Sequence, residues 1–224
     1  MTDTDVWKHV RGLEPFSLCD WPGRPSAVVF LGGCNLRCPT CHNFELAWNM
    51  ELLPEIPAAR LRGFFRERAK WLDGIVVTGG EPTCVPGIGE ILWELGKFGL
   101  PIKVDSNGMR PEMIHHILSM DLAATFAVDV KGPYEKYPEL TGNAVSAVVA
   151  RRNLEQVFAM ASAMPDRFYF RLTRVPALNT IDVDTARGYL PAGFGLTVQD
   201  FVAPRRSNAH ADHEARRPVG DLVH

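Results

Sequence analysis

From residue 26 to residue 202, short apolar runs alternate with stretches whose apolar residues recur at helical spacing. Ser26–Leu31 is apolar and bounded by Pro25 and Gly32-Gly33, as a strand buried on both faces should be. Further strands are expected at 74–78, 102–105, 124–130, 168–175 and 195–202. Between them the period changes. Over 58–71, Leu61, Phe64, Phe65 and Ala69 fall on one side, with Arg62, Arg66, Arg68 and Lys70 around the remainder. Ile88, Ile91, Leu92 and Leu95 give 86–98 an inward stripe. Helices are also expected at 111–120, where Pro111 suits a first turn, at Ala147–Ala163 with Leu154, Val157, Phe158 and Ala161 as its core face, and at 181–189. Strand and helix patterns that alternate in this way predict a parallel α/β sheet with crossover helices. Six units are too few for a closed eight-stranded barrel. An open, partial (βα)6 barrel or an open sheet follows, and in both the ligand sits at the C-terminal ends of the strands.

Two segments stand outside this pattern. Residues 12–23 contain Pro22-Gly23, a turn signal, and read as a hairpin or extended lead-in to the first core strand. Residues 203–224 are rich in Arg, His, Asp and Pro with little periodicity, and read as a loose tail. His210, His213 and His224 are expected to be solvated there rather than to bind metal. A single domain over 1–202 followed by the tail is the expected organisation for 224 residues.

Composition narrows the function little. An apolar fraction of 46% suits a globular core, and a net charge of −2 gives no basis for a nucleic-acid or membrane-surface partner. No apolar run approaches a membrane helix, and residues 1–8 lack a signal peptide's apolar core. A cytosolic location is the expectation. Five cysteines in such a chain argue for metal or catalysis rather than disulfides.

Three of those cysteines carry the chemistry. Cys34, Cys38 and Cys41 stand at C-x3-C-x2-C spacing directly after the first parallel strand, so one loop can wrap three thiolates around one inorganic centre. A closed zinc or iron–sulfur site takes four protein ligands. Three leave an iron free to bind something that reacts. A zinc knuckle completed by His42, or three unrelated thiols, are the other readings of the motif. The remaining polar signals also fall at strand ends. Gly79-Gly80-Glu81-Pro82 follows the second strand, where two glycines allow close backbone approach to a ligand or make a plain turn. Asp105-Ser106-Asn107-Gly108 follows the third, and Asp129 and Lys131 end the fourth. Arg171 alternates sides with Phe170 and Leu172, as a carboxylate or ribose contact or as a structural salt bridge.

The cysteine loop followed about 45 residues later by Gly-Gly-Glu-Pro resembles the signature of the radical S-adenosylmethionine (SAM) superfamily. That resemblance implies an open (βα)6 barrel of the radical SAM type. It implies a [4Fe-4S] cluster on Cys34, Cys38 and Cys41, with SAM on the fourth iron. It implies cofactor contacts from Gly79, Gly80 and Glu81 to the SAM amino group, and from Asp105 and Ser106 near its methionine or ribose part. Asp129 and Lys131 resemble an Asp-x-Lys segment of glycyl-radical activating enzymes. A carboxylate bound beside Asp105 and Asp129 would be repelled unless a cation lay between them, which makes a monovalent cation a candidate there. Many members have an aromatic residue before the third cysteine. Here it is Thr40, which leaves the adenine contact to His42 or Phe44. Cys19 stands where an aliphatic residue is more usual. Cys84, just after the Gly-Gly-Glu-Pro turn, is a candidate redox or hydrogen-transfer thiol or an inert buried one.

Cys19 and Cys84 cannot hold a second four-thiolate cluster. Together with the Ser17, Asp20, Pro22, Gly23 pattern and the Cys41-His42-Asn43 ending, this most resembles the activating proteins of anaerobic ribonucleoside-triphosphate reductases, with pyruvate formate-lyase activating enzymes close by. The resemblance implies reductive cleavage of SAM to a 5′-deoxyadenosyl radical, an electron from flavodoxin or ferredoxin, and a glycyl radical formed on a partner enzyme. A radical enzyme acting on a small molecule or peptide, and a non-catalytic zinc or electron-transfer module, are the alternatives.

Overall fold

Each strand of the core sends alternate residues to opposite sides, and the two sides differ in chemistry. In the computed structural model, which describes residues 6–203, one seven-stranded sheet runs β1-β2-β3-β4-β5-β6-β7 in sequence order. The strands are β1 (Val10–Ser17), β2 (Ser26–Leu31), β3 (Gly74–Gly79), β4 (Ile102–Ser106), β5 (Thr125–Asp129), β6 (Phe168–Arg174) and β7 (Leu196–Asp200). β1 pairs antiparallel with β2, and every later neighbour pair is parallel. The sheet is not closed between β1 and β7. The six parallel strands expected from the sequence are all present, preceded by a hairpin strand.

The helices are α1 (Phe44–Trp48), α2 (Ala58–Arg68), α3 (Ile88–Gly96), α4 (Pro111–Ser119), α5 (Tyr137–Leu140), α6 (Ala147–Ala163) and α7 (Thr180–Arg187). The expected helix at 86–98 starts later, because Gly87 stands outside it at φ 76°. The last expected helix begins one residue earlier, where Asn179 and Asp182 form a reciprocal capping box. Helices α1 and α5 are five and four residues long, too short to show a period in the sequence.

Val29, Leu31, Val77, Val104, Phe126, Val128 and Phe170 join Leu61, Phe65, Ile91, Leu92, Leu154 and Val157 in one large core between sheet and helices. The other side of the sheet carries a small cluster of Trp21, Val28 and Val76, with Phe30 and Ala124 against it. Trp21 lies on the β1–β2 connection. It packs so close to Gly74 at the start of β3 that a Cβ there would meet its ring at 2.8 Å. The hairpin therefore plugs the N-terminal end of the open face, and the C-terminal ends are left for a ligand. Among the described residues no helix is long and apolar enough to cross a membrane. The segment 204–224, with His210, His213 and His224, lies outside the described residues.

Candidate functional site

A cavity of about 340 Å³ occupies the C-terminal ends of the strands on the open face. Cys34, Cys38, Cys41, Thr40, His42, Gly79, Gly80, Glu81, Asp105, Ser106, Asp129, Lys131 and Arg171 all line it. Residues from four loops and from β6 thus meet as the strand-end placement requires.

The cysteine loop is held from several sides. Leu36 is buried at its centre. The Trp48 indole N–H and the Arg37 guanidinium both donate to the Leu36 carbonyl at 2.9 Å. The Arg37 amide donates to the Thr141 carbonyl at 3.0 Å. Gly142, at φ +64°, lets its own chain approach Arg37 where a Cβ would meet the carbonyl oxygen at 2.2 Å. The three thiols are free. Burial pushes the Cys34 thiol up to about 12, against the Leu36 amide, which favours the thiolate. Burial also raises Cys38, with Lys131 opposing, and Cys41, with the Asn43 amide opposing. Metal-free, these groups are protonated at neutral pH, and binding a metal releases their protons.

Among the described residues no three His, Cys, Asp or Glu side chains gather closely enough to hold a single metal ion. The three cysteines nevertheless line one cavity. His42 does not complete a tetrahedral set. Its Nε2 lies 2.5 Å from the Val202 carbonyl and is therefore the donor, and its ring is 5.3 Å from that of Phe201.

The Gly-Gly-Glu-Pro turn is built into the cysteine loop. The amides of Gly80 and Glu81 donate to the carbonyls of Leu31 and Gly33, each at 2.8 Å. A Cβ on Gly80 would meet the Gly33 oxygen at 2.1 Å, and one on Gly79 the Leu31 oxygen at 2.4 Å. The glycines thus serve the approach of chain to chain, and the amides of Gly80 and Glu81 are spent. A ligand ammonium needs acceptors, which the backbone carbonyls of a turn can still supply. Asn43 Nδ2 donates to one of these, the Gly79 carbonyl, at 3.0 Å.

The Glu81 side chain is 1% exposed. Its Oε1 accepts from the Thr83 amide at 3.1 Å, the Thr83 hydroxyl at 2.5 Å and the Ser106 hydroxyl at 2.9 Å. Its Oε2 accepts from the Asn107 amide at 2.6 Å. Burial raises the Glu81 carboxyl and these hydrogen bonds oppose it. Asn107 in turn donates to Asn35 of the cysteine loop at 2.8 Å. Glu81 and Ser106 therefore brace two strand ends, and Asn35, Asn43 and Asn107, which the sequence showed only as motif neighbours, tie them to the cysteine loop.

On β4, β5 and β6 the open face carries a ladder of charges. Arg171 Nε donates to Asp129 at 3.0 Å, and its Nη1 reaches Asp105 at 3.4 Å. Lys131 Nζ is 3.4 Å from Asp129, and Lys103 Nζ is paired with Asp105. Burial alone would raise Asp129, but Lys131 and Arg171 outweigh it and hold it below the usual carboxylate range. Lys131 and Arg171 are raised despite burial because Asp129 faces both. Arg171 places a positive charge between the two aspartates.

The two spare cysteines stand differently toward the cavity. Cys19 lines the cavity beside Asp20, whereas Cys84 is not among its lining residues. Cys84 lies behind the loop near Glu81 and Arg110, and burial pushes it to about 11.

With this geometry in view, the similarities to known proteins can be placed. The Radical SAM superfamily model matches residues 28–164, more than half of the chain, and the chain belongs to that superfamily. A Methanocaldococcus jannaschii protein provisionally named a glycyl-radical enzyme activating enzyme is 36% identical over 132 residues, 58% of this chain and 53% of its own length. The 7-carboxy-7-deazaguanine synthase of Haemophilus influenzae is 34% identical over 101 residues, 42% of this chain and 43% of its own. The chain thus spans about half the length of these curated relatives. The solved structure of anSMEcpe with bound AdoMet shares the fold at TM-score 0.57 and 17% identity, over 77% of this chain and 50% of that one. Superfamily membership implies a [4Fe-4S] cluster and SAM. The donor set fits both: three free thiols on the wall of one cavity, and carboxylates and cations on the same wall.

Proposed function

We propose, from the premise that this is a radical SAM protein, that it generates a glycyl radical on a partner enzyme, and that the partner is an anaerobic ribonucleoside-triphosphate reductase. When bound, the cluster and SAM supply an electron that splits the sulfonium and a carbon radical that takes a hydrogen atom. The chain's own residues do the rest. Cys34, Cys38 and Cys41 hold the irons. Gly79 and Gly80 bring the turn against the loop. Asp105, Asp129, Lys131 and Arg171 present a fixed array of charges to the amino acid and ribose parts of SAM. Thr40 and His42 stand at the adenine side.

The observation that carries this reading is how far the cavity extends across the sheet. It reaches Asp20 beside β1 and Gln199 on β7, the two strands between which the sheet is unclosed. A loop of another protein can reach the site from that side. The charges that face it are already paired, which suits a neutral backbone glycine better than an anionic small molecule. The relationship to the M. jannaschii protein supports the same reading. Flavodoxin or ferredoxin is the proposed electron donor.

A second reading is favoured by the relationship to 7-carboxy-7-deazaguanine synthases, that of an enzyme acting on a small molecule. The test is anaerobic reconstitution followed by reduction with SAM and the reductase. A glycine-centred radical signal on the reductase is expected, with release of 5′-deoxyadenosine. Loss of 7-carboxy-7-deazaguanine from a deletion strain whose reductase still works would carry the second reading instead.

A further inference from the structure

Lys103 is a charged side chain with no exposure, one of the largest fully buried groups in the molecule. It is the second residue of β4, between Ile102 and Val104, which face the helix core. By alternation it shares the open face with Asp105, one pleat deeper in the sheet. It does not line the cavity, and Asp105 does. Its ammonium is paired with Asp105 Oδ1, while Arg171 holds Oδ2 at 3.4 Å. The Tyr169 ring lies 5.9 Å from Nζ, and the Tyr169 hydroxyl is buried without a hydrogen-bond partner.

Two facts make this arrangement informative. First, a buried ion pair is poor value for stability, since an apolar side chain of similar volume would pack there more cheaply. Second, the two cations take one acceptor position on each carboxylate oxygen, and each oxygen has about two. Asp105 is thus gripped from below and from the side with its remaining acceptor positions free to meet a donor in the cavity.

We infer that Lys103 is a positioning residue for the cofactor site, setting the orientation of the Asp105 carboxylate so that it accepts hydrogen bonds from a cationic or hydroxyl-bearing part of SAM. Lys103 acts only through Asp105. The inference rests on superfamily membership and does not depend on the partner enzyme.

The test is a double-mutant cycle on the full chain, reconstituted anaerobically. SAM affinity is read by equilibrium dialysis and folding by thermal melting, with Lys103→Met, Asp105→Asn and the double variant. Each single change should weaken SAM binding about tenfold or more, the scale of one charge-assisted hydrogen bond. In the double variant the second change should add less than about twofold, because both remove one interaction. A purely structural lysine would lower the melting temperature and leave the affinity of the folded protein unchanged, which overturns the inference. Losses that multiply also overturn it. If Lys103→Met does not fold, Lys103→Gln replaces it in the cycle. Asp105→Asn binding SAM as tightly as the unaltered protein refutes the inference by itself.

Discussion

On β6, Phe168, Phe170 and Leu172 enter the helix core, whereas Tyr169, Arg171 and Thr173 turn to the open face. On β4, Ile102 and Val104 are set against Lys103 and Asp105 in the same way, and on β5, Phe126 and Val128 against Asp129. One set of strands thus makes two surfaces of opposite character. The helix side is held by burial of apolar area, which tolerates no charge. The open side is held by Arg171 between Asp105 and Asp129, with Lys103 and Lys131 flanking them. Stability resides mainly on the first surface and ligand geometry on the second. A barrel that is not closed needs both, because no layer of helices covers the face that must stay accessible.

Adjacent residues of β6 offer the strongest way to break this comparison. Phe170→Ala should cost about 3–5 kcal/mol in denaturant unfolding, as for other buried aromatics, while the protein that stays folded binds SAM normally. Arg171→Met should do the reverse. It leaves two carboxylates without their shared cation, so SAM binding should fall at least tenfold, for a stability loss of about 1–3 kcal/mol. If Phe170→Ala weakens SAM binding and Arg171→Met does not, the division between the faces is wrong.

Glu81 sharpens the comparison, because it is a polar side chain buried as deeply as the apolar core. Glu81→Gln places an amide where four donors converge, so at least one donor faces another. The expected loss is about 1–3 kcal/mol, read by thermal melting together with poorer cluster retention. Unchanged stability would mean that the carboxyl is protonated in the native state, in line with the upward push of burial.

Near neutrality the smallest effect is expected, from pH. Burial raises Cys34 from 9.0 to about 12, Cys84 to about 11, and Tyr169 from 10.0 to about 12. A raised value means that the fold favours the protonated group. The contribution is complete below the ordinary value and is lost as pH rises through the folded one. Melting of the metal-free protein should therefore be insensitive to these groups near neutrality and decline from about pH 9 toward 12. A melting temperature that stays constant to pH 11 would contradict the burial of these groups.

The open face was only partly legible in the sequence. Cys34, Cys38 and Cys41, the Gly79-Gly80-Glu81 turn and Asp105, Asp129 and Lys131 were visible as polar signals at strand ends, and Arg171 as a charge alternating with Phe170 and Leu172 inside a strand. Lys103 was not, because within Ile102-Lys103-Val104-Asp105 it reads as a strand lysine of no special place. Its spacing of two from Asp105 was the available signal. Nothing in the sequence placed Cys19 at the site, since the hairpin of β1 with β2 carries it to the cavity. Glu81 looked like a ligand contact, and its four hydrogen bonds come from Thr83, Ser106 and Asn107. Two of these three residues are distant in sequence.

By itself the sequence determined what is local. Period marks strand and helix over a few residues, and three thiols within eight positions must lie in one loop whatever surrounds them. Tertiary structure alone decided which charges meet. Arg171 reaches Asp129 across 42 residues and Asp105 across 66. Those encounters depend on strand order and on a register in which Asp129 stands opposite Arg171. A slip of one residue would turn the same side chains into the helix layer, so their pairing is a property of the assembled sheet.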